Sequence, residues 1–374
     1  MEWFQVRDES AIPSPSLFLH LERVERNLRR MVTIAGDPSR LWPHVKTHKL
    51  GPLVRMQVDL GISSFKCATV AEAEMLAGVE GVQGILVALQ PVGPQQTRIL
   101  ELAKAHPRIR FSVILDNAST AQALARSAKE AGFGTPARPP LGAFIDLDVG
   151  QGRTGIAADA SAEALALLIV ESGSLGLVGL HAYDGHLGIS DPAERTLACD
   201  RAFEPVAALR SRLESSLARP IEVIAGGSPT FGVHARRQRV SLSPGTTVFW
   251  DAGYATKLPD LPFEPAVVLL TRVVSKPASN RLCLDLGHKA VASEMPQPRV
   301  LFLDLNPVTF VSHSEEHLVV ESPAAENLSV GNTLHALPWH VCPTVALHSE
   351  ILVVRESVAS TSWSVTARAR RLRF

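Results

Sequence analysis

Eight short apolar runs, separated by longer stretches of helical character, occupy residues 42–245 and constrain the fold more than any other feature of the chain. The runs are Trp42–Thr47, Ser63–Ala68, Gly84–Leu89, Ile109–Leu115, Leu141–Asp148, Leu175–Tyr183, Ile221–Ala225 and Val240–Ser243. Most are bounded by Gly, Pro, Asp or Asn, as expected of strands buried on both faces. Helix-like segments lie between them, including Val70–Ala77, Gln95–Ala105, Ser119–Ala131, Ser161–Ser172 and Ala193–Leu217. Ser119 and Asp191 stand where N-caps are useful, and Gly132 follows its helix as a C-cap should. This alternation predicts an α/β fold, a (β/α)8 TIM-type barrel. A doubly wound open sheet is the alternative, because alternation alone does not establish closure.

The pattern changes near Asp251. Beyond it the sequence reads as strands at Ala266–Ser275, Arg281–Asp285, Val300–Asp304, His317–Val320, Thr333–Ala336 and Val365–Arg371, punctuated by Pro, Asn and Ser. The predicted organisation is a barrel over residues 13–255 followed by an all-β domain over 256–374, with residues 1–12 pairing into the latter. A chain of 374 residues accommodates one barrel of about 250 residues plus such an appendage.

The 37 basic and 37 acidic residues cancel, and no basic patch or charged run points to nucleic acid. The opening MEWFQVRDES lacks a signal-peptide pattern, and no apolar run approaches the roughly 18 residues that cross a bilayer. Cys67, Cys199, Cys283 and Cys342 are far apart and form no CxxC pair, which reads as thiols or metal ligands in a cytoplasmic protein.

In (β/α)8 enzymes the working groups sit at the C-terminal ends of strands. The first strand here ends in PHVKTHK, with Lys46 at its edge. The fifth runs into IDLDVGQGRTGI, which carries Arg153. The sixth ends in HAYDGHLG, supplying Tyr183, Asp184 and His186, and the seventh and eighth end in AGGSPT and SPGTT. A lysine at the end of a buried strand can be desolvated, which favours the neutral amine needed for a Schiff base. Gly226, Gly227 and Ser228 offer backbone N–H groups and a hydroxyl suited to phosphate. Pyridoxal phosphate needs both an amine and an anion site. Singly, each feature has a plainer reading as a solvated lysine, an ordinary turn, or in His44 and His48 a polar neighbour of Lys46.

The motifs PHVKTHK, CATVAEAEML, DLDVGQGRTGI, YDGH, GGSPT, SPGTTVFWDAGYA, SEEH and HVCPTV occur in this order. The chain thereby resembles the D-threonine aldolase and D-serine dehydratase family, fold-type III pyridoxal phosphate enzymes with an alanine-racemase-like barrel. The resemblance implies that Lys46 carries the cofactor, that Arg153 faces its pyridine nitrogen, and that Gly226, Gly227 and Ser228 bind its phosphate. It implies cofactor contacts for His44, Tyr183 and Asp251, and His186 as the candidate general base. His340 and Cys342 match the family's metal-ligand pair. Their His-x-Cys spacing places both side chains on one face of an extended segment, and a thiolate–imidazole set suits Zn2+, with Mn2+ the other metal considered. Glu315, Glu316 and His317 form a polar cluster that would support the metal from outside its ligand shell. Three positions depart from the family pattern: Ser243 where a basic residue often precedes the proline, Thr247 in place of a tyrosine, and His20 in place of an acid.

The implied activity is a metal-dependent lyase on 3-hydroxy-D-amino acids, either D-threonine aldolase-type cleavage to glycine and an aldehyde or D-serine dehydratase-type elimination. The overall motif style leans to aldolase, although His-x-Cys is nearer the dehydratase branch. An amino-acid racemase would need no metal pair, and a non-enzymatic cofactor carrier would need no second domain. A homodimer is expected, with no nucleic-acid or membrane partner.

Overall fold

The computed structural model describes residues 1–370. They form two compact units: residues 32–46 with 51–245 and the C-terminal 369–370, and residues 1–31 with 47–50 and 246–368. In chain order, β1 (Ser16–His20) belongs to the second unit, while β2–β8 build the first.

The strands of the first unit are β2 (Ser64–Cys67), β3 (Gly84–Val87), β4 (Arg110–Leu115), β5 (Leu141–Asp146), β6 (Leu175–Ala182), β7 (Glu222–Ala225) and β8 (Ser241–Leu242). Each pairs in parallel with the next, in sequence order. The run expected as a strand at Trp42–Thr47 is not regular. Pro43 has no N–H for a ladder, and Val45–Thr47 turns into a 3-10 helix. Leu41–His44 nevertheless closes the cylinder. Trp42 N–H donates to Leu242 O at 2.7 Å and His44 N–H to Pro244 O at 2.8 Å, while Lys66 N–H donates to Pro43 O at 3.0 Å on the other side. The open-sheet alternative is thereby excluded.

Parallel strands covered by helices must be apolar on both faces, and every residue of β2, β3 and β5 is buried. Trp42, Leu86, Ile114, Phe144 and Ile224 converge from five different staves to fill the interior. Side-chain caps start the surrounding helices where the sequence has Thr69, Asn117, Asp159 and Asp191. Asn117, not Ser119, caps its helix, two residues earlier than the sequence pattern suggested.

The second unit is a nine-stranded sheet whose main path runs β12-β13-β10-β9-β1-β15-β16. Its remaining elements are β9 (Val267–Ala278), β10 (Arg281–Leu284), β11 (Val300–Phe302), β12 (Thr309–His313), β13 (Leu318–Glu321), β14 (Thr333–Pro338), β15 (Glu350–Arg355) and β16 (Val358–Ser364). β14 lies beside β9, and β11 beside β14. The N-terminal segment joins this unit, with Phe4 and Val6 packed in a core with Phe18, Val268, Leu270 and Val354.

The strand expected at Val365–Arg371 is absent where the structure describes it: Thr366–Arg368 is a 3-10 turn, and Arg371 lies outside the described residues. The strands are instead β15 and β16, joined by Glu356 and Ser357, both with positive φ. Such a hairpin turn usually announces itself with Asn or Gly. Glu-Ser gives no such signal.

Candidate active site

The loop after β5 shows how the sequence presents Arg153. Asp148 Oδ1 accepts from Gly150 N–H at 2.9 Å and Gly152 N–H at 3.1 Å. Gly155 has φ +102°, and a Cβ there would lie 2.4 Å from the Asp148 nitrogen, so only glycine permits the return. Arg153, at the tip, lines a cavity of about 380 Å3 together with His44, Lys46, Lys66, His181 and Tyr183. This volume lies in the range of small-ligand sites.

Tyr183 forms the aromatic face of that cavity. Lys66 Nζ lies 5.0 Å from its ring centroid, Arg153 Cζ 5.4 Å and Lys46 Nζ 5.7 Å. Three basic side chains thus surround one ring, with the carboxylates of Asp116 and Asp146 also lining the cavity. His44 folds back so that its Nδ1 accepts from the Lys46 backbone N–H at 3.3 Å.

Beneath them, Asp146 Oδ1 accepts from His181 Nδ1 at 2.6 Å. That bond leaves His181 Nε2 as an acceptor 3.3 Å from Lys66 Nζ, and burial holds the imidazole pKa below its usual value. Lys66 Nζ donates to Ser243 Oγ at 2.7 Å. Burial, followed by the charge of Lys46, presses the Lys66 pKa down to about 7. Sequence reading passed over Lys66 because, in the run SSFKCA, it reads as the polar face of a strand.

The turn Gly226–Ser228 packs against Tyr183, where a Cβ on Gly227 would stand 3.0 Å from the ring carbon Cε2. Its backbone donors differ from the sequence expectation. Gly226 N–H donates to Ala182 O, and Gly227 N–H to Asp184 Oδ1 and Thr230 Oγ1. Both glycine donors are thus spent on the scaffold. Ser228 Oγ accepts from Gly245 N–H at 3.2 Å and so ties the ends of β7 and β8 together.

Asp184, Cys199 and His234 are buried and offer ligand atoms within 4.8 Å of one another. Asp184 Oδ2 lies 2.8 Å from His234 Nε2, and Asp184 Oδ1 accepts from Thr230 Oγ1 at 2.5 Å. Burial, with Asp184 beside it, pushes the Cys199 thiol up to about 12. The thiol supports Asp184 and His234, and it is Asp184, with Thr230, that holds the Gly226–Ser228 turn.

In the second unit, His340 and Cys342 do not alternate along an extended segment as expected. The chain becomes helical at Val341–Leu347, with His340 as the residue before it and Pro343 accepted in the first turn. The two side chains are nevertheless coupled. Burial pushes the Cys342 thiol up, but the hydrogen bond and charge of His340 outweigh it and hold the thiol below its ordinary value. Burial pushes His340 down, yet Cys342 and Glu294 carry it up to about 9. Glu294 occupies His340 Nδ1, the carboxylate–imidazole arrangement that orients metal ligands. Cys342 Sγ donates to Thr47 Oγ1 at 3.2 Å, and Thr47 is the residue after Lys46 in the chain.

Asp251, expected at the cofactor, is found beside this pair. Its Oδ2 accepts from Val341 N–H at 3.0 Å, its Oδ1 caps the helix Ala252–Lys257, and burial raises its pKa to about 6. Glu315 and Glu316 are engaged by Lys289 at 2.7 and 3.0 Å on the surface, not by the His340–Cys342 pair. His186 is exposed and stands over Gly150, outside the residues that line the cavity. Thr247, one of the departures from the family pattern, is fully buried with its hydroxyl against Met31 Sδ, so that change faces the interior of its own unit.

Residues 19–252 match the family model of the alanine racemase N-terminal domain, and residues 266–354 match a serine dehydratase domain. The D-threonine aldolase of an Arthrobacter species is 31% identical, over 96% of this chain and 93% of its own length. The 3-hydroxy-D-aspartate aldolase of Paracoccus denitrificans strain Pd 1222 is 29% identical, with 97% and 94% covered. A D-threo-3-hydroxyaspartate dehydratase from Delftia strain HT23 is 25% identical, with 90% and 92% covered. Among solved structures, D-threonine aldolase from Filomicrobium marinum superposes with a TM-score of 0.87 at 26% identity, covering 98% of each chain.

Proposed function

This chain belongs to the D-threonine aldolase and D-serine dehydratase family, with an alanine racemase N-terminal domain, and from that premise we propose that it is a D-threonine aldolase-type lyase. Its substrates are 3-hydroxy-D-amino acids, cleaved to glycine and an aldehyde. The observation that carries the site assignment is the single cavity in which Lys46, Arg153 and Lys66 surround the face of Tyr183. An aromatic platform, an amine and two further cations suit an anionic aromatic aldehyde.

Pyridoxal phosphate, when bound, supplies the aldehyde and the electron-withdrawing ring. Lys46 would supply the amine that holds it, and Tyr183 would give it a flat surface. Arg153, a permanent cation, would disfavour a proton on a ring nitrogen placed beside it, and His44 fixes the backbone at Lys46. The Gly226–Ser228 turn would hold the phosphate. His340 and Cys342 hold a divalent metal, for which a thiolate–imidazole pair favours Zn2+ over Mn2+; such an ion acts as a Lewis acid toward a hydroxyl. Glu294 orients His340, and Asp251 fixes the start of the helix that carries Cys342. His186, the sequence candidate for accepting the hydroxyl proton, stands on the loop after β6 outside the residues that line the cavity, so it would need to reach the substrate from the rim. No helix among the described residues is long and apolar enough to cross a membrane, and the reading expects a cytoplasmic homodimer.

The dehydratase reading is favoured by the serine dehydratase match over the segment that carries His340 and Cys342. A product assay separates the two. Purified protein with pyridoxal phosphate and Zn2+ or Mn2+ is offered D-threonine, D-serine and 3-hydroxy-D-aspartate separately. Glycine with an aldehyde establishes the aldolase; a 2-oxo acid with ammonia establishes the dehydratase and overturns our proposal.

A further inference from the structure

Lys66 is a basic residue buried in the barrel interior. It is 1% exposed, and no carboxylate among the described residues pairs with it. A buried ammonium without a counter-charge is costly, which is why the pKa of Lys66 falls to about 7, and an anionic ligand beside it would restore the charge. Its hydrogen bonds narrow the source of compensation. One N–H donates to Ser243 Oγ, which in turn donates to Gly226 O at 2.7 Å, so the hydroxyl is fixed as an acceptor for Lys66. A second meets His181 Nε2, whose acceptor character is set by Asp146 on the far side of the ring. The third N–H has no acceptor among the described residues, while the residue lines the cavity. Two side chains from β6 and the end of β8 thus aim one remaining donor at the ligand space beside Tyr183.

Position 243 gives this a second meaning. The family pattern often has a basic residue there, and this chain has serine. A cation reaches the same strand end nonetheless, delivered from β2.

We propose that Lys66 is a cofactor-binding residue, positioned by Ser243 and His181, whose third N–H donates to an acceptor atom on the ring of pyridoxal phosphate. The inference rests on the pyridoxal phosphate reading given above. Lys66 faces Lys46, Arg153 and His181, with Asp146 and Asp184 the nearby acids. When charged, Lys66 would disfavour a proton on the Lys46 nitrogen in the loaded protein and lower the pH at which that proton is lost.

The test uses the full-length protein loaded with pyridoxal phosphate, reading cofactor affinity and the pH midpoint of its visible absorption. Lys66→Met is expected to bind the cofactor roughly tenfold more weakly and to raise the midpoint by about one pH unit. Lys66→Arg should stay near the parent, and Ser243→Ala should shift both quantities in the same direction as Lys66→Met by a smaller amount. A folded Lys66→Met with unchanged affinity and midpoint overturns the proposal, since a purely structural amine would leave the midpoint in place. If Lys66→Met does not fold, Ser243→Ala decides, and parental values there overturn it equally. A parent protein with no visible band, or one whose band survives Lys46→Ala, refutes the cofactor reading itself and this inference with it.

Discussion

Asp184, just past the end of β6, accepts a hydrogen bond from the backbone N–H of Gly227, just past the end of β7, at 3.1 Å. One carboxylate thereby holds the turn assigned to phosphate and, through Thr230 and His234, the short helix that follows it. Its pKa is a balance. Burial raises it, but hydrogen bonds from His234, Thr230 and Cys199, with the charge of His234, carry it below the carboxylate norm.

Removing that carboxylate should do two separable things. Asp184→Ala is expected to cost roughly 3 kcal/mol of unfolding free energy, because it leaves several buried donors without an acceptor. It should also weaken pyridoxal phosphate binding while Lys46 remains intact. Urea titration measures the first effect and cofactor titration the second.

The close approach of the turn to Tyr183 gives a sharper steric test. Gly227→Ala puts a methyl 3.0 Å from Tyr183 Cε2 and 3.2 Å from Gly185 Cα. Overpacking of this kind costs about 1–3 kcal/mol, and here the displaced ring is the one proposed as the cofactor platform. Cofactor affinity should fall by more than it does for Gly232→Ala, where the nearest atom is 3.7 Å away.

The two halves of the chemistry should fail independently. Lys46→Ala is expected to abolish the visible absorption of the cofactor, whereas Cys342→Ala should keep that absorption and lose metal-stimulated turnover. Absorption spectra and product assays with and without Zn2+ distinguish them. Undiminished metal-dependent activity in Cys342→Ala would remove the metal assignment.

Stability should have an acid limb traceable to Glu264. Hydrogen bonds from Arg26, then Arg30, with the charge of Arg23, hold this carboxyl at about 2 against a partial burial penalty. A depressed carboxylate contributes stability that is full above its unfolded pKa, roughly 4.5, and is lost as pH falls toward about 2. Glu264→Gln should therefore melt below the parent at pH 7, with the gap closing across that interval. Thermal melts at stepped pH provide the check.

The barrel was legible because a strand buried on both faces writes a continuous apolar run, and seven of the eight predicted runs became parallel strands. The eighth, at Trp42–Thr47, was legible as a stave but not in its geometry, since Pro43 breaks the ladder that still closes through Leu41–His44. In the second unit, β12 and the β15–β16 hairpin went unseen, the hairpin because Glu356 and Ser357 occupy left-handed turn positions without the usual residue types. For the site, strand-end position exposed Lys46, Arg153 and Tyr183, whose setting depends on local register and short loops.

Local pattern by itself determined which residues stand at strand ends, because period and turn chemistry act over a few positions. Only the tertiary structure decided which of those groups are spent and which remain available. Gly227 N–H was taken by Asp184 from another strand, and Asp251 went to Val341, 90 positions away in the chain. Lys66 became a partner of Ser243 and His181 because closure of the barrel through Leu41–His44 turns β2, β6 and the end of β8 toward one interior. Hydrogen-bond satisfaction in a buried interior is a competition among groups far apart in sequence, and that competition is settled only when the chain has folded.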